Sequence, residues 1–286
     1  MAVTIDVFET CAEFTTFCAA GKAAGRTIGL VPTMGALHEG HLSLVKRSLE
    51  ETDRTVVTIF VNPTQFGEGE DLEKYPRTLE SDLELLSQLG VESVFVPTDE
   101  EMYPAGFSTA IKPPEICGVL EGEFRPGHFD GVATVVLKLL NVSLADKAFF
   151  GQKDYQQSLA VRHMVRDLNV PSEIVVCPII READGLALSS RNRYLSDEQR
   201  GCALSLSRTL QEARDQILAG DRDIHALMSE MRQSLIDGGV DSIDYAVIAN
   251  PDTLVVEEQV NLPAVALIAA HVGNTRLIDN LIISDQ

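Results

Sequence analysis

The chain has 286 residues, 23 of them Lys or Arg and 43 Asp or Glu, for a formal charge of -20 and a pI near 4.6. A surface of that sign repels polyphosphate backbones, which excludes DNA and tRNA as partners but leaves room for one local cationic pocket that takes a small anion. With 45% hydrophobic and 23% charged residues, it is an ordinary folding chain, long enough for two domains and not disordered.

The opening "MAVTIDVFETCAEF" mixes acidic and apolar residues and lacks the basic start and apolar core of a signal peptide. From there, short β-branched runs alternate with helical patterns. "RTIGLVPT" predicts a strand, "HLSLVKRSLEET" a helix, "TVVTIFVNP" a strand, "LESDLELLSQLG" a helix stopped by Gly90, and "VESVFVP" a strand. After a Pro- and Gly-rich stretch come "GVATVVLKLLNV" (helix), "KAFFG" (strand), "YQQSLAVRHMVRDL" (helix) and "EIVVCPII" (strand). Strand and helix in alternation predict a doubly wound, Rossmann-like parallel sheet covered on both faces.

The alternation breaks near Arg181. Two long helical stretches follow, the first opened by Ser196 with Gln199 three residues on, a capping-box signature. Then "SIDYAVI", "DTLVV", "AVALIAAHV" and "TRLIDNLII" read as strands. Helices followed by strands predict a smaller α+β domain, with the division at residues 1–182 and 183–286. "LPAVALIAA", the longest apolar stretch, is too short to cross a bilayer. Cys11, Cys18, Cys117, Cys177 and Cys202 show no C-x-x-C pair or metal-ligand spacing and read as reduced thiols. A cytoplasmic protein without a membrane partner is expected.

In open α/β sheets, ligands bind beyond the carboxyl ends of the strands, and the informative polar residues fall there. His38 and His41 follow the first strand, Asn62 and Gln65 the next. Lys153 and Asp154 follow "KAFF", and Ser189–Arg191 follow "VVCPII". Gly35 and Gly40 allow close backbone approach, and a helix N-terminus at the histidines suits an anion. The imidazoles add donors for charge that grows on phosphoryl oxygens. H-x-x-H lacks the H-E-x-x-H zinc spacing; a pair of histidines merely capping the helix is the other reading. Likewise "NPTQFG" also fits a plain Asn-Pro turn, "GQKD" a surface ion pair and "DGLALSSRN" a serine-rich linker.

Taken together, "PTMGALHEGH", "VNPTQF", "YPRT", "EGEFRPGHFDGVATVVLKLL", "FFGQKDYQQ" and "READGLALSSRNRYL" resemble the pantothenate synthetase family, within the nucleotidyltransferases marked by H-x-G-H. The resemblance implies an ATP- and Mg²⁺-dependent ligase that joins (R)-pantoate to β-alanine through pantoyl adenylate, releasing AMP and pyrophosphate. It also implies a C-terminal lid and a homodimer. Carried onto this chain, it puts ATP against the segment from Met34 and Gly35 through His38, Gly40 and His41. Gly151, Gln152, Lys153 and Asp154 then take ribose and phosphate, and Ile180 and Leu188 join Ser189, Ser190 and Arg191 in closing over the nucleotide. His41, His38 and Lys153 are the implied catalytic groups. Gln65 and Gln157 would contact pantoate, with Asn62 supporting Gln65; neutral amides can bind a carboxylate that a glutamate would repel.

Gln152 stands where the family commonly has Glu, and Leu188 where many members have Met. The first removes a charge beside Lys153, and the second is a near-isosteric exchange. Arg125 and His128 match the pattern either as functional groups or as a turn, and no metal ligand is assigned: Asp82 is a possible Mg²⁺-side carboxylate, read first as an exposed helix position. Two rival functions remain: an H-x-G-H enzyme acting on a phosphate ester, which would want cations where the glutamines stand, and a nucleotide-binding protein without catalysis.

Overall fold

The computed structural model describes residues 3–67 and 72–285. The chain divides into two compact units, one formed by residues up to Gly151 with Gln156–Pro178, the other by Gln152–Tyr155 with the residues from Ile179 on.

The first unit contains β1 (Asp6–Phe8), α1 (Cys11–Ala23), β2 (Ile28–Thr33), α2 (Glu39–Glu51), β3 (Arg54–Ile59), α3 (Leu79–Leu89) and β4 (Ser93–Phe95). The one-turn helices α4 (Asp99–Met102) and α5 (Glu121–Phe124) lead to α6 (His128–Ser143), β5 (Lys147–Gly151), α7 (Tyr155–Asp167) and β6 (Glu173–Cys177). The six strands form one parallel sheet in the order β1-β4-β3-β2-β5-β6. Its interior strands are continuous apolar runs, as a sheet covered on both faces demands, and Val31, Val45, Val57, Leu86, Val94 and Phe149 form one core. β1 and α1 were not foreseen, although Thr10 caps α1 by accepting from Glu13 N–H, the Thr-x-x-Glu spacing of a helix start.

The direction of winding reverses at β2, which pairs with β3 on one side and β5 on the other. Such reversals open a crevice at the carboxyl ends of the strands. Pro32 widens it. Phe60 N–H donates to Thr33 O (3.0 Å), so Thr33 faces β3 and the N–H that Pro32 lacks falls on the β5 side. Pairing of β2 with β5 accordingly stops at Gly29 and Leu30.

The second unit contains α8 (Asp197–Leu218), α9 (Ile224–Asp237), β7 (Ser242–Ala249), β8 (Ala264–Val272) and β9 (Thr275–Ile283), with an antiparallel sheet in the order β7-β8-β9. The capping box of Ser196 and Gln199 starts α8. Leu206, Leu210, Ile217 and Leu227 from the helices pack against Ala266 and Ile268 of the sheet. "DTLVV" is not a strand. Asn250 Oδ1 accepts from Asp252 and Thr253 N–H (3.0 and 3.1 Å), Asn250 N–H donates to Val255 O, and Leu254 takes a φ of 56°. These local bonds close a loop in place of a ladder.

No helix among the described residues is long and apolar enough to cross a membrane. All five cysteines are free thiols, and burial pushes Cys18 and Cys117 up to about 12, which leaves both unreactive.

Candidate active site

The loop from β2 to α2 is built around strained backbone. Gly35 and Ala36 have φ of 81° and 51°, and a left-handed alanine costs about 1–2 kcal/mol. Asp82 offsets that cost: its Oδ2 accepts from Ala36 N–H and its Oδ1 from Leu37 N–H (both 2.9 Å), while Thr78 Oγ1 donates to Oδ2 (3.1 Å). The residue is 1% exposed and sits in the first turn of α3, where a carboxylate is favoured by the helix dipole. The expectation of an exposed Asp82 is therefore wrong. With both oxygens holding backbone N–H groups, it braces the loop that carries Met34 and Gly35.

His38 is the N-cap of α2, its Nδ1 accepting from Gly40 N–H (3.2 Å). The capping reading and the nucleotide reading are thus compatible. An accepting Nδ1 places the ring proton on Nε2, so the cap sets the tautomer. The rings of His38 and His41 lie 4.1 Å apart, both half-buried.

The turn after β3 orients an amide. Asn62, 1% exposed, accepts at Oδ1 from Tyr103 Oη (2.7 Å) and Thr64 Oγ1 (2.9 Å), and burial pushes the Tyr103 phenol up, keeping it a donor. Asn62 Nδ2 donates to Gln65 Oε1 (3.1 Å) and Gly131 O (3.3 Å). Gln65 Nε2 then points at Met34 Sδ (3.1 Å), so the glutamine carbonyl is held and its donor side meets the histidine loop. Asn62 therefore acts on Gln65 from a buried position, out of reach of solvent.

Arg125 and His128 extend this support. His128 Nδ1 lies 2.8 Å from Gln65 O and can only donate there, leaving Nε2, 3.2 Å from Arg125 Nη1, as acceptor. Of the two glutamines opening α7, Gln156 is 3% exposed and spent on structure: Oε1 accepts from Glu121 N–H, and Nε2 donates to Ile116 O and Val119 O. Gln157 is half-buried. Sequence reasoning passed over Tyr103 and Gly131; the second had a signal, a glycine opening the run read as a helix.

In the second unit, Gln152, Lys153 and Asp154 form a turn. Lys153 Nζ lies 3.9 Å from Asp154 Oδ1, and Asn280 Nδ2 donates to the carbonyls of Gln152 (3.0 Å) and Lys153 (2.9 Å). Residues 180–188 fold back on themselves, with Leu188 N–H donating to Ile180 O (2.9 Å) and a bridge between Arg181 and Ala187. Ser189 caps the 3-10 turn Ser190–Tyr194 by accepting from Arg191 N–H (3.3 Å), and Asn192 Nδ2 secures the turn to Glu182 Oε1 and Ala187 O. The division of the chain falls a few residues before 182/183 because Arg181 is paired with Asp279 of β9, and Gln152 and Tyr155 bond to Asn280 and Pro251 O. Lys153 and Asp154 thereby belong with Ser189–Arg191, whereas His38, His41, Asn62, Gln65, Gln157 and Gly151 belong to the first unit. Among the described residues no group of three or more His, Cys, Asp or Glu side chains could hold a metal ion.

The family model described as pantoate-beta-alanine ligase matches residues 6–282. A pantothenate synthetase of Rhodopirellula baltica is 51% identical over 279 residues, 96% of this chain and 98% of its own. The crystal structure of pantothenate synthetase from Thermus thermophilus superposes with a TM-score of 0.92 at 43% identity, covering 98% of this chain and all of that one. A pantoate-beta-alanine ligase from Francisella tularensis, solved with beta-gamma ATP and beta-alanine, does so with a TM-score of 0.82 at 34% identity, covering 98% of each chain.

Proposed function

Because the chain belongs to the pantoate-beta-alanine ligase family, we propose that the groups described above carry that reaction in two successive steps. The reaction is the ATP-dependent joining of pantoate to β-alanine, with release of AMP and pyrophosphate. In the first step a pantoate carboxylate oxygen attacks the α-phosphorus and the bond to the β-phosphate breaks, giving pantoyl adenylate. In the second the β-alanine amine attacks the acyl carbon, loses a proton, and AMP leaves with the bonding pair.

The observation that carries the residue assignment is the pairing of two pre-oriented donors at the carboxyl ends of β2 and β3. The N-cap fixes the His38 ring with its proton on Nε2, and Asn62 holds the Gln65 carbonyl so that its amide can donate. Donors fixed before the reaction pay no reorganisation cost as charge grows on phosphoryl oxygens. Met34, Gly35, Gly40 and His41 line the ATP side, and Gln65 and Gln157 take pantoate. From the second unit, Lys153 supplies a cation, Asp154 with Gly151 and Gln152 takes ribose and phosphate, and Ile180 and Leu188–Arg191 close over the nucleotide as a lid that keeps water from the adenylate.

Magnesium enters this reading with the nucleotide. Held chiefly by phosphates and water, the ion would neutralise part of the polyphosphate charge, and no side chain of the chain is assigned to it. A homodimer in the cytoplasm completes the proposal, and sedimentation at micromolar concentration tests the assembly.

The deciding experiment is ATP–pyrophosphate exchange with pantoate alone, followed by addition of β-alanine. Exchange that requires pantoate, with AMP accumulating only after β-alanine, is expected; transfer of a nucleotidyl group to a phosphate ester would overturn it. Lys153→Ala should slow exchange by at least ~10²-fold, the effect of losing a preorganised donor, and a change below about threefold would remove Lys153 from that role. Unchanged exchange in Arg191→Ala would do the same for the lid.

A further inference from the structure

β9 is an apolar strand interrupted at its centre by two adjacent polar residues, Asp279 and Asn280, which are 3% and 1% exposed. Neighbours in a strand face opposite sides. Asp279 shares the side of Leu277 and Ile283, which belong to the core beneath α8 and α9, and Asn280 takes the other. Burying a carboxylate and an amide there is costly where two aliphatic side chains would pack without penalty. What each holds gives the reason.

Asn280 commits both its donors and its carbonyl oxygen to one short segment. Nδ2 donates to Gln152 O and Lys153 O, and Oδ1 accepts from Gln152 Nε2 (3.2 Å). The peptide groups on both sides of Lys153 are thereby fixed, which matters for an ammonium on a flexible four-carbon stem. Asp279 grips the other cation-bearing segment. Arg181 Nη1 and Nη2 donate to its two oxygens (2.7 and 2.9 Å), and Nη1 also donates to Gly185 O (3.1 Å), closing the 180–188 hairpin that ends at Ser189. Asp279 Oδ1 additionally accepts from Asn280 N–H (2.7 Å), so the two anchors share one backbone.

We propose that Asp279 and Asn280 are positioning residues for the ligase reaction, holding Lys153 and the Ser189–Arg191 turn in one fixed mutual arrangement within the second unit. The proposal rests on the reading that Lys153 and Arg191 engage the phosphates of ATP. Neither anchor needs to touch the nucleotide. Displacing either cation by a fraction of the distance over which a hydrogen bond survives would slow adenylation while leaving pantoate binding intact.

The test is a double-variant cycle in pantoate-dependent ATP–pyrophosphate exchange on the full chain. Asn280→Asp keeps the shape but removes both donors, and it is expected to lower the rate at saturating substrates about tenfold or more, because misplacement by ~1 Å costs up to ~10²-fold. The pantoate KM stays within about twofold of the parent, and adding Asn280→Asp to Lys153→Ala slows exchange by no more than about a further twofold, because coupled residues are not additive and about twofold is the scatter expected even of independent ones. Asp279→Asn combined with Arg191→Ala should behave alike. If the two defects multiply, or Asn280→Asp is harmless while Lys153→Ala is slow, the positioning role is overturned and the Lys153 assignment stands. If Lys153→Ala is itself harmless, both fall. Should Asn280→Asp lose the parent's cooperative melt, Asn280→Ser, which keeps one donor, takes its place in the cycle under the same criteria.

Discussion

Gly131→Ala offers a direct test of how α6 supports Gln65, the proposed pantoate contact. A Cβ at this position would lie 2.3 Å from Thr64 O, 2.5 Å from Thr64 C and 2.7 Å from Gln65 N. Ordinary contact begins near 3.4 Å, so helix and turn must separate by about 1 Å. The turn is the part that yields, since α6 is buried along most of its length while none of Pro63–Gln65 is buried. The Asn62 bond to Gly131 O, already 3.3 Å, is then lost along with the orientation of Gln65. For stability, alanine in a helix gains about 1 kcal/mol over glycine, against about 1–3 kcal/mol for overpacking. The net loss of at most about 2 kcal/mol leaves a domain of ordinary stability folded. For catalysis, a shift of ~1 Å is worth up to ~10²-fold. In pantoate-dependent exchange, the pantoate KM should rise by about tenfold or more while the ATP KM stays within about twofold. A variant that melts cooperatively and keeps its pantoate KM within about twofold of the parent would refute the route from α6 to Gln65.

Asp82→Asn turns a donor toward Ala36 or Leu37 N–H and forfeits at least one charge-assisted bond, about 1.5–3 kcal/mol; the ATP KM should rise about tenfold with pantoate binding spared, and an unchanged ATP KM would show that the loop does not need its brace. Gly29→Ala puts a Cβ 2.2 Å from Ser48 Oγ and 2.6 Å from Thr52 Oγ1, and Ser48 is buried and bonded to Thr55 Oγ1. It should cost about 1–3 kcal/mol, read as a lower urea midpoint at constant slope, and an unmoved midpoint would contradict the close packing of α2 on β2. The Arg200 guanidinium, with Asn192, holds the Glu182 carboxyl below the usual glutamate range. A folded pKa below the unfolded one contributes stability above about pH 4.3 that is lost as pH falls through the depressed value. Glu182→Gln should therefore be less stable than the parent at neutral pH, by a modest amount for a partly exposed pair, and the difference should shrink as pH falls below about 4.3 and the carboxyl protonates; a difference that stays constant from neutral to acid pH would exclude this linkage.

Where structure depends on near neighbours, it was legible in the sequence. The period-2 and period-3.6 runs identified β2 through β6 with α2, α3, α6 and α7, and Ser196 with Gln199 marked the start of α8, because burial on one face and capping act within a few residues. The same locality misled at "DTLVV", whose β-branched composition was outweighed by the turn that Asn250 closes. The identities of His38, His41, Gln65, Lys153 and Arg191 as candidates likewise came from motif spacing. Their settings did not. Asp82 braces Ala36 and Leu37 across 46 and 45 positions, His128 reaches Gln65 O across 63, and Asn280 holds Lys153 O across 127. Nothing in a local pattern distinguishes an acidic residue on the solvent side of a helix from one turned inward onto backbone N–H groups. The sequence by itself determined most of the elements, their order and the chemical groups at the strand ends. Only the tertiary structure decided which of those groups are held, by what, and in which tautomer or amide orientation, because the hydrogen bonds that set them join residues that periodicity cannot relate.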